Sequence, residues 1–374
     1  MLSLYVHIPF CRSRCSYCDF FLVTRLDHIE RFFRALTRET EARRSQLEGR
    51  TVGAIHFGGG TPSLVPLQYI SAWLGQLSRF CSFFGDVEIA FEANPEDLGE
   101  KAMSDLRCMG VTRLSLGIQS FSDRKLLALG RRHTSKDACE VTARAMGMFP
   151  SVSLDLICGV PGEDVLEWDT DLDAALAMRP HHLSVYMLSL EPKTLLHRDV
   201  SRGLMTVPGE EEQAVMYERA MEKAGMLGYL HYEVSNFCLP GHHSRYNLAS
   251  WKREEYLGFG PSAHSFLRSS GVETRFANVS SFSGYTGDCA NVPAFREILS
   301  DEERFTEQVF LALRINSGLD VEFLRKDNKL GHCLPETIDR LVRKGWIRQE
   351  AGQLYLTGKG FLFADHIAGE FIVA

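Results

Sequence analysis

Six short runs of β-branched and apolar residues punctuate the first two thirds of the chain: LSLYVHI (2–8), VGAIHF (52–57), DVEIAFEA (86–93), TRLSLGI (112–118), SVSLDLI (151–157) and HLSVYML (182–188). Between them lie HIERFFRALTRETEARRSQL, PLQYISAWLGQLSRF, GEKAMSDLRCMG and TSKDACEVTARAMGMF, whose apolar residues recur at helical spacing. Parallel strands must be joined by long crossovers, and a helix is the usual one, so this alternation predicts an α/β fold with a parallel sheet under helices. Several runs alternate apolar with small or polar residues. That pattern suits a curved sheet with one face on helices and the other lining a cavity. The expected core is an open, partial (β/α)6 barrel of the TIM type.

The polar residues fall at the ends of these runs. His7 and a cysteine loop follow the first, GGGTP the second; Glu92 and Asn94 end the third, Gln119 the fourth. Asp155 lies late in the fifth, and Ser189 and Glu191 follow the sixth. In a parallel barrel all carboxyl ends converge on one rim, where active sites form. Turns are polar in any fold, which explains the glycines and prolines. It explains less well Glu92, Gln119 and Asp155, which are costly inside a barrel without partners.

Past residue 225 the rhythm changes. Residues 226–300, rich in aromatics, His and Gly, read as loops and short strands that close the side or mouth of a barrel spanning 1–225. Residues 301–374 read as helix, helix, helix, hairpin, a winged-helix-like domain. Its charges are mixed and the net charge of the chain is −7, so packing or docking is expected there and nucleic-acid binding is not. The start MLSLYVHIPF has neither a basic n-region nor a long apolar run, and no stretch elsewhere is apolar enough to span a bilayer. A cytoplasmic protein is the expectation.

Of ten cysteines, Cys81, Cys108, Cys139, Cys158, Cys238, Cys289 and Cys333 are scattered and read as ordinary core or surface residues. Cys11, Cys15 and Cys18 fall within eight residues. A structural zinc site would need a fourth ligand, which His7 can offer. Three thiolates alone suit a [4Fe–4S] cluster with one iron left open, as a catalytic centre requires.

The spacing CxxxCxxC, with Tyr17 before its last cysteine, and GGGTP at the end of the next strand resemble the radical S-adenosylmethionine (SAM) superfamily. In that superfamily SAM chelates the open iron, and one electron cleaves it to a 5′-deoxyadenosyl radical. The blocks LYVHIPFCRSRCSYCDF, IHFGGGTPS, FEANPED, RLSLGIQSF, LGRRH, SLDLICGVPGE, HLSVYMLSLEP and YLGFGPSAHS are similar to successive blocks of the HemN/HemW family. That family contains oxygen-independent coproporphyrinogen III oxidases and haem chaperones. The resemblance implies that Cys11, Cys15 and Cys18 ligate the cluster, with Tyr5 beside it and Tyr17 packed on the ligand. It implies that Gly59, Gly60 and Thr61 touch SAM, that Glu92 holds a polar group of SAM, and that Gln119, Arg131 and Asp155 line the adjoining pocket.

Two departures point to the chaperone branch. The oxidases carry another cysteine where this chain has Phe20, and a long extension where only four residues precede Tyr5. The implied function is a SAM- and haem-binding chaperone that keeps the radical scaffold without coproporphyrinogen oxidase activity. Its implied partners are haem-accepting proteins and a reducing donor of the flavodoxin or ferredoxin type, with a peripheral membrane contact and no nucleic acid. The chaperones commonly show His-Asn-x-x-Tyr-Trp, a motif linked to haem; here the same place reads Tyr246-Asn247-Leu248-Ala249-Ser250-Trp251. Tyr246, His242 and His243 are therefore candidate haem ligands, and His264 in GPSAHS is another candidate, either lining the SAM pocket or facing haem.

Overall fold

The computed structural model describes residues 1–287, 293–326 and 333–372. Cys289 lies outside the described residues. Strands β1 (Leu2–Ile8), β2 (Thr51–Gly59), β3 (Ser82–Ala93), β4 (Arg113–Gln119), β5 (Ser151–Cys158) and β6 (His182–Met187) lie side by side in chain order, all parallel. β3 begins at Ser82 rather than Asp86. Ser82 and Phe83 pair with Thr51 and Val52 before the register slips, and this early part is exposed, so its pattern carries no burial signal.

Helices Ile29–Ala42, Leu67–Leu77, Glu100–Cys108, Ser135–Met148 and Val165–Ala177 pack outside the sheet. Capping boxes start the last two: Thr134 with Asp137, and Asp164 with Glu167. In each, side chain and backbone satisfy one another's orphan donors at the helix start. Strand side chains alternate between faces. Leu4, Val6, Leu114, Leu116, Leu154, Leu156, Leu183 and Val185 point outward and are buried against Phe32, Leu36, Trp73, Leu106, Val141 and Trp168. Each such aliphatic side chain contributes about 1.5–3 kcal/mol by leaving water. The inward positions are Tyr5, His7, His56, Glu92, Ser115, Ser153, Asp155 and Ser184, a polar wall that only a cavity can accommodate.

The stretch expected to close the barrel extends the same sheet at both edges. β7 (Leu230–Glu233) and β8 (Asn236–Cys238) add antiparallel beyond β6. β9 (Tyr256–Phe259) adds parallel to β1, followed outward by β10 (His264–Ser269), β11 (Val272–Ala277) and β12 (Phe295–Ile298). The twelve-stranded order is β12-β11-β10-β9-β1-β2-β3-β4-β5-β6-β8-β7. The helix Arg245–Trp251 was not anticipated; at seven residues it is too short to show a helical period, and Ser244, its N-cap, is its one local signal. Buried charge fixes this extension. Arg113 pairs with Glu88 at 3.0 Å and donates to the carbonyls of His242 and His243, while Glu88 accepts from Arg245 N at 2.9 Å. Glu39 accepts from Gly260 N, Asn278 Nδ2 and Tyr285 Oη, tying the first helix to the far edge.

Beyond Asp301 a smaller body has its own core of Val309, Leu313, Leu324, Leu341, Leu354 and Phe371. Helices Asp301–Ala312, Val321–Lys326 and Cys333–Arg343 precede the hairpin β14 (Ile347–Glu350) and β15 (Gln353–Leu356), with β13 (Leu319–Asp320) on the other side of β15. Among the described residues no helix is long and apolar enough to cross a membrane.

Candidate functional site

The loop after β1 carries the three cysteines and is stapled to its neighbours through backbone. Cys11 N donates to Val23 O and Val23 N to Pro9 O, closing the loop on itself. Gly60 N and Thr61 N donate to Ile8 O and Phe10 O, Ser16 N donates to Leu129 O, and Leu196 N donates to Ser16 O. The loop is thus held by segments that follow β2, β4 and β6. Gly59 and Gly60 make this approach feasible. Gly59 has φ +101°, and a Cβ there would sit 2.4 Å from His7 Nδ1; one on Gly60 would sit 2.7 Å from Ile8 O. The glycines are required first by the protein's own packing, since the loop and His7 fill the space a side chain would take.

Cys11, Cys15 and Cys18 are partly exposed and line one cavity of about 690 Å³. Tyr17, Gly59, Gly60, Thr61, Glu92, Gln119, Arg131 and Asp155 line the same space. The candidates drawn from five strand ends therefore meet, as the barrel's geometry dictates. Cys11 Sγ lies 3.3 Å from Thr61 Oγ1, and burial pushes its thiol up to about 11 against that hydrogen bond. Burial raises the Cys18 thiol as well. Arg131 donates to Asn94 Oδ1 at 2.6 Å and Gly117 O at 2.8 Å, and faces Cys15 Sγ at 3.8 Å. Its buried Nε has no partner among the described residues. Gln119 closes β4 with φ +67°, a conformation that side chains rarely adopt, and this aims it into the cavity.

His56 Nε2 donates to Glu92 Oε1 at 2.8 Å, and Gly59 N donates to Glu92 Oε2 at 3.3 Å. Asp155 accepts from Ser115 Oγ at 3.0 Å and Ser153 Oγ at 3.3 Å, so it caps no helix. Burial lifts its carboxyl to about 6 despite those bonds, with the charge of Glu92 adding to the rise. His7 stands apart from the thiols: its ring nitrogens meet Tyr5 Oη at 3.2 Å and Phe21 O at 2.8 Å. Among the described residues no three His, Cys, Asp or Glu side chains converge on a single ion.

The Radical SAM superfamily model matches residues 5–175, and the HemN C-terminal domain model matches residues 299–363. The heme chaperone HemW of Bacillus subtilis is 34% identical over 387 aligned positions, covering 100% of this chain and 99% of its own. The heme chaperone HemW of Mycobacterium tuberculosis is 34% identical over 98% of this chain and 93% of its own. This chain belongs to the HemN/HemW family of radical SAM proteins. The fold agrees with that of the coproporphyrinogen III oxidase HemN from Escherichia coli, with a TM-score of 0.84 at 23% identity over 100% of this chain and 90% of that one.

Radical SAM proteins carry a [4Fe–4S] cluster and SAM. The residues fit both groups. Three partly exposed thiols border one cavity. Beside them stand an unpaired guanidinium nitrogen and carboxylates suited to the carboxylate, ammonium and hydroxyl groups of SAM.

The remaining HemN/HemW candidates separate. Tyr5, Tyr246 and His264 line a second cavity of about 1150 Å³, on the side of the barrel where β1 and β6 do not meet. Tyr5 stacks on His56 and Tyr246, with ring centroids 5.9 Å apart in both pairs, and His56 in turn bonds Glu92 on the wall of the first cavity. His242 and His243 line neither cavity; they sit near the amino ends of β4 and β6, with the His242 ring tilted against that of His181, centroids 4.5 Å apart. Sequence reasoning passed over His56, Ser115, Ser153, Ser184 and Tyr186. Each lies two residues or a multiple of two from an inward residue on its own or an adjacent strand, so strict alternation would have found them.

Proposed function

We propose that this protein is a haem chaperone that binds a [4Fe–4S] cluster, SAM and haem and passes haem to acceptor proteins. The observation that carries this reading is 34% identity to the heme chaperone HemW along 100% of the chain. In this reading Cys11, Cys15 and Cys18 ligate the cluster. Gly59, Gly60, Thr61 and Glu92 hold SAM, and Gln119, Arg131 and Asp155 line the adjoining pocket. Arg131, whose Nε has no partner among the described residues and whose Nη2 is held by the neutral oxygens of Asn94 and Gly117, receives an anionic group. The cluster, when bound and reduced, supplies one electron at low potential. A flavodoxin- or ferredoxin-type protein delivers that electron, and the chaperone works in the cytoplasm.

Phe20 supports the same reading. Where the oxidases carry an additional cysteine, this side chain is 66% exposed between the two cavities and lines both. An aromatic there suits a surface that hands over an apolar macrocycle. The test is a single anaerobic, cluster-reconstituted sample. Haem should bind with a defined Soret band, and coproporphyrinogen III should remain unconverted. Stoichiometric 5′-deoxyadenosine with protoporphyrinogen formation would overturn the reading in favour of an oxidase.

A further inference from the structure

We infer that the second cavity is the haem chamber, that His264 is the iron ligand within it, and that Lys193 and Arg14 receive the propionates. The inference rests on the haem-chaperone reading above and deepens it to a site.

Size and lining come first. A cavity of about 1150 Å³ exceeds the usual small-molecule range of about 300–1,000 Å³ and has room for a tetrapyrrole. Tyr5, Tyr246, Trp251, Phe266 and Phe20 supply flat apolar surface. The chamber is lined from β1 by Tyr5 and His7 and from β6 by Tyr186, two strands that do not pair with each other.

The iron ligand is chosen among the histidines of this region and Tyr246. His242 and His243 are tied to Arg113 through their carbonyls and line no part of the chamber. Tyr246 lines it, but burial pushes its phenol up, and its ring is stacked on Tyr5 and lies tilted against His56 at 5.0 Å. It is a wall, kept protonated, and a protonated phenol is a poor donor to iron. His7 lines it too, but both its ring nitrogens are engaged by Tyr5 and Phe21. His264 stands at the carboxyl-end rim, on the first residue of β10, exposed to the chamber. Its imidazole makes no hydrogen bond among the described residues, which leaves a ring nitrogen available to a metal.

Charge orients the disc. Arg253 and Arg275 line the chamber but are spent on Glu273, Glu297 and Glu307. Lys193 has no ion-pair partner among the described residues, and Arg14 uses only Nη1, on the carbonyls of Cys18 and Phe20. Arg14 belongs to the cysteine loop, and Lys193 to the segment after β6 that is tied to that loop through Leu196 N and Ser16 O. Asp19 and Glu233 are the facing acids; burial lifts Glu233 to about 7, which reduces its repulsion of an anion near neutrality.

The experiment is anaerobic haem titration of the cluster-loaded protein, followed by absorption and electron paramagnetic resonance. His264→Ala should weaken haem roughly tenfold or more and change the ligand-field spectrum, and added imidazole should restore the wild-type spectrum. Iron and sulfide content and circular dichroism should not move. Lys193→Gln should weaken haem several-fold but leave the affinity for haem dimethyl ester, which has no propionate charge, unchanged. His242→Ala should match wild type. A wild-type protein that binds no haem overturns the chaperone reading itself. A wild-type protein that binds haem, with His264→Ala spectrally unaltered, overturns this assignment alone.

Discussion

Glu233 is 1% exposed, and its carboxylate accepts from Ser235 N, Asn236 Nδ2 and the Trp251 side chain. Burial nonetheless lifts its carboxyl from an ordinary 4.5 to about 7. A carboxyl whose folded value lies above its unfolded value binds more protons in the folded state, so its contribution favours folding at low pH and is lost as pH rises. The window is the interval between 4.5 and about 7. At about 1.4 kcal/mol for each tenfold change in proton affinity, folding loses about 3 kcal/mol across it. Glu233→Gln removes the ionisation and keeps the shape. Urea denaturation of the two proteins should therefore diverge with pH, with the variant gaining about 3 kcal/mol on wild type between the acid end and pH 8. Asp155 has the same sign but is common to both proteins, so it cancels in the difference. Parallel stability curves would show that Glu233 ionises as it does in water, and the dry environment assigned to this corner of the chamber would be wrong.

Three further outcomes are expected. Cys15→Ala should lose the brown absorbance and bound iron while circular dichroism stays that of wild type, because the loop is held by backbone bonds at Cys11, Ser16 and Val23; global unfolding would make the thiol structural. Gly60→Ala places a Cβ against the carbonyls of Ile8 and Phe10 at 2.7 and 2.8 Å. Strain of about 1–3 kcal/mol should appear as a lower thermal midpoint together with weakened SAM binding by calorimetry, and an unchanged SAM affinity would show that the strand end does not position the loop. Glu88→Ala strands the buried guanidinium of Arg113 and should cost about 3–5 kcal/mol, read by denaturant midpoint, whereas a loss under 1 kcal/mol would mean that the carbonyls of His242 and His243 suffice.

Much of the barrel was legible because period-two runs separated by helical segments leave few alternatives. The rim residues were legible for the same reason: Glu92 and Gln119 lie at the ends of their strands and Asp155 late in its own, and parallel strands end together. The helix Arg245–Trp251 was not legible, being shorter than the period that would announce it. The attachment of residues 226–300 to both edges of one sheet was not legible either. It depends on Glu88, Arg113 and Glu39 finding partners more than a hundred residues away, and sequence spacing contains no trace of such pairs.

Local chemistry in the sequence determined the three-thiol loop, the glycine strand end and the alternating strands, since each is a matter of neighbours along the chain. Tertiary structure alone decided which aromatic and histidine side chains share a space. Tyr5 went to the larger chamber and not to the thiols, His264 joined it there, and His242 and His243 were turned to the opposite end. The physical reason is that strand direction sorts residues by rim and by face. A chain read in one dimension carries the alternation but not which edge of the sheet a late strand will join.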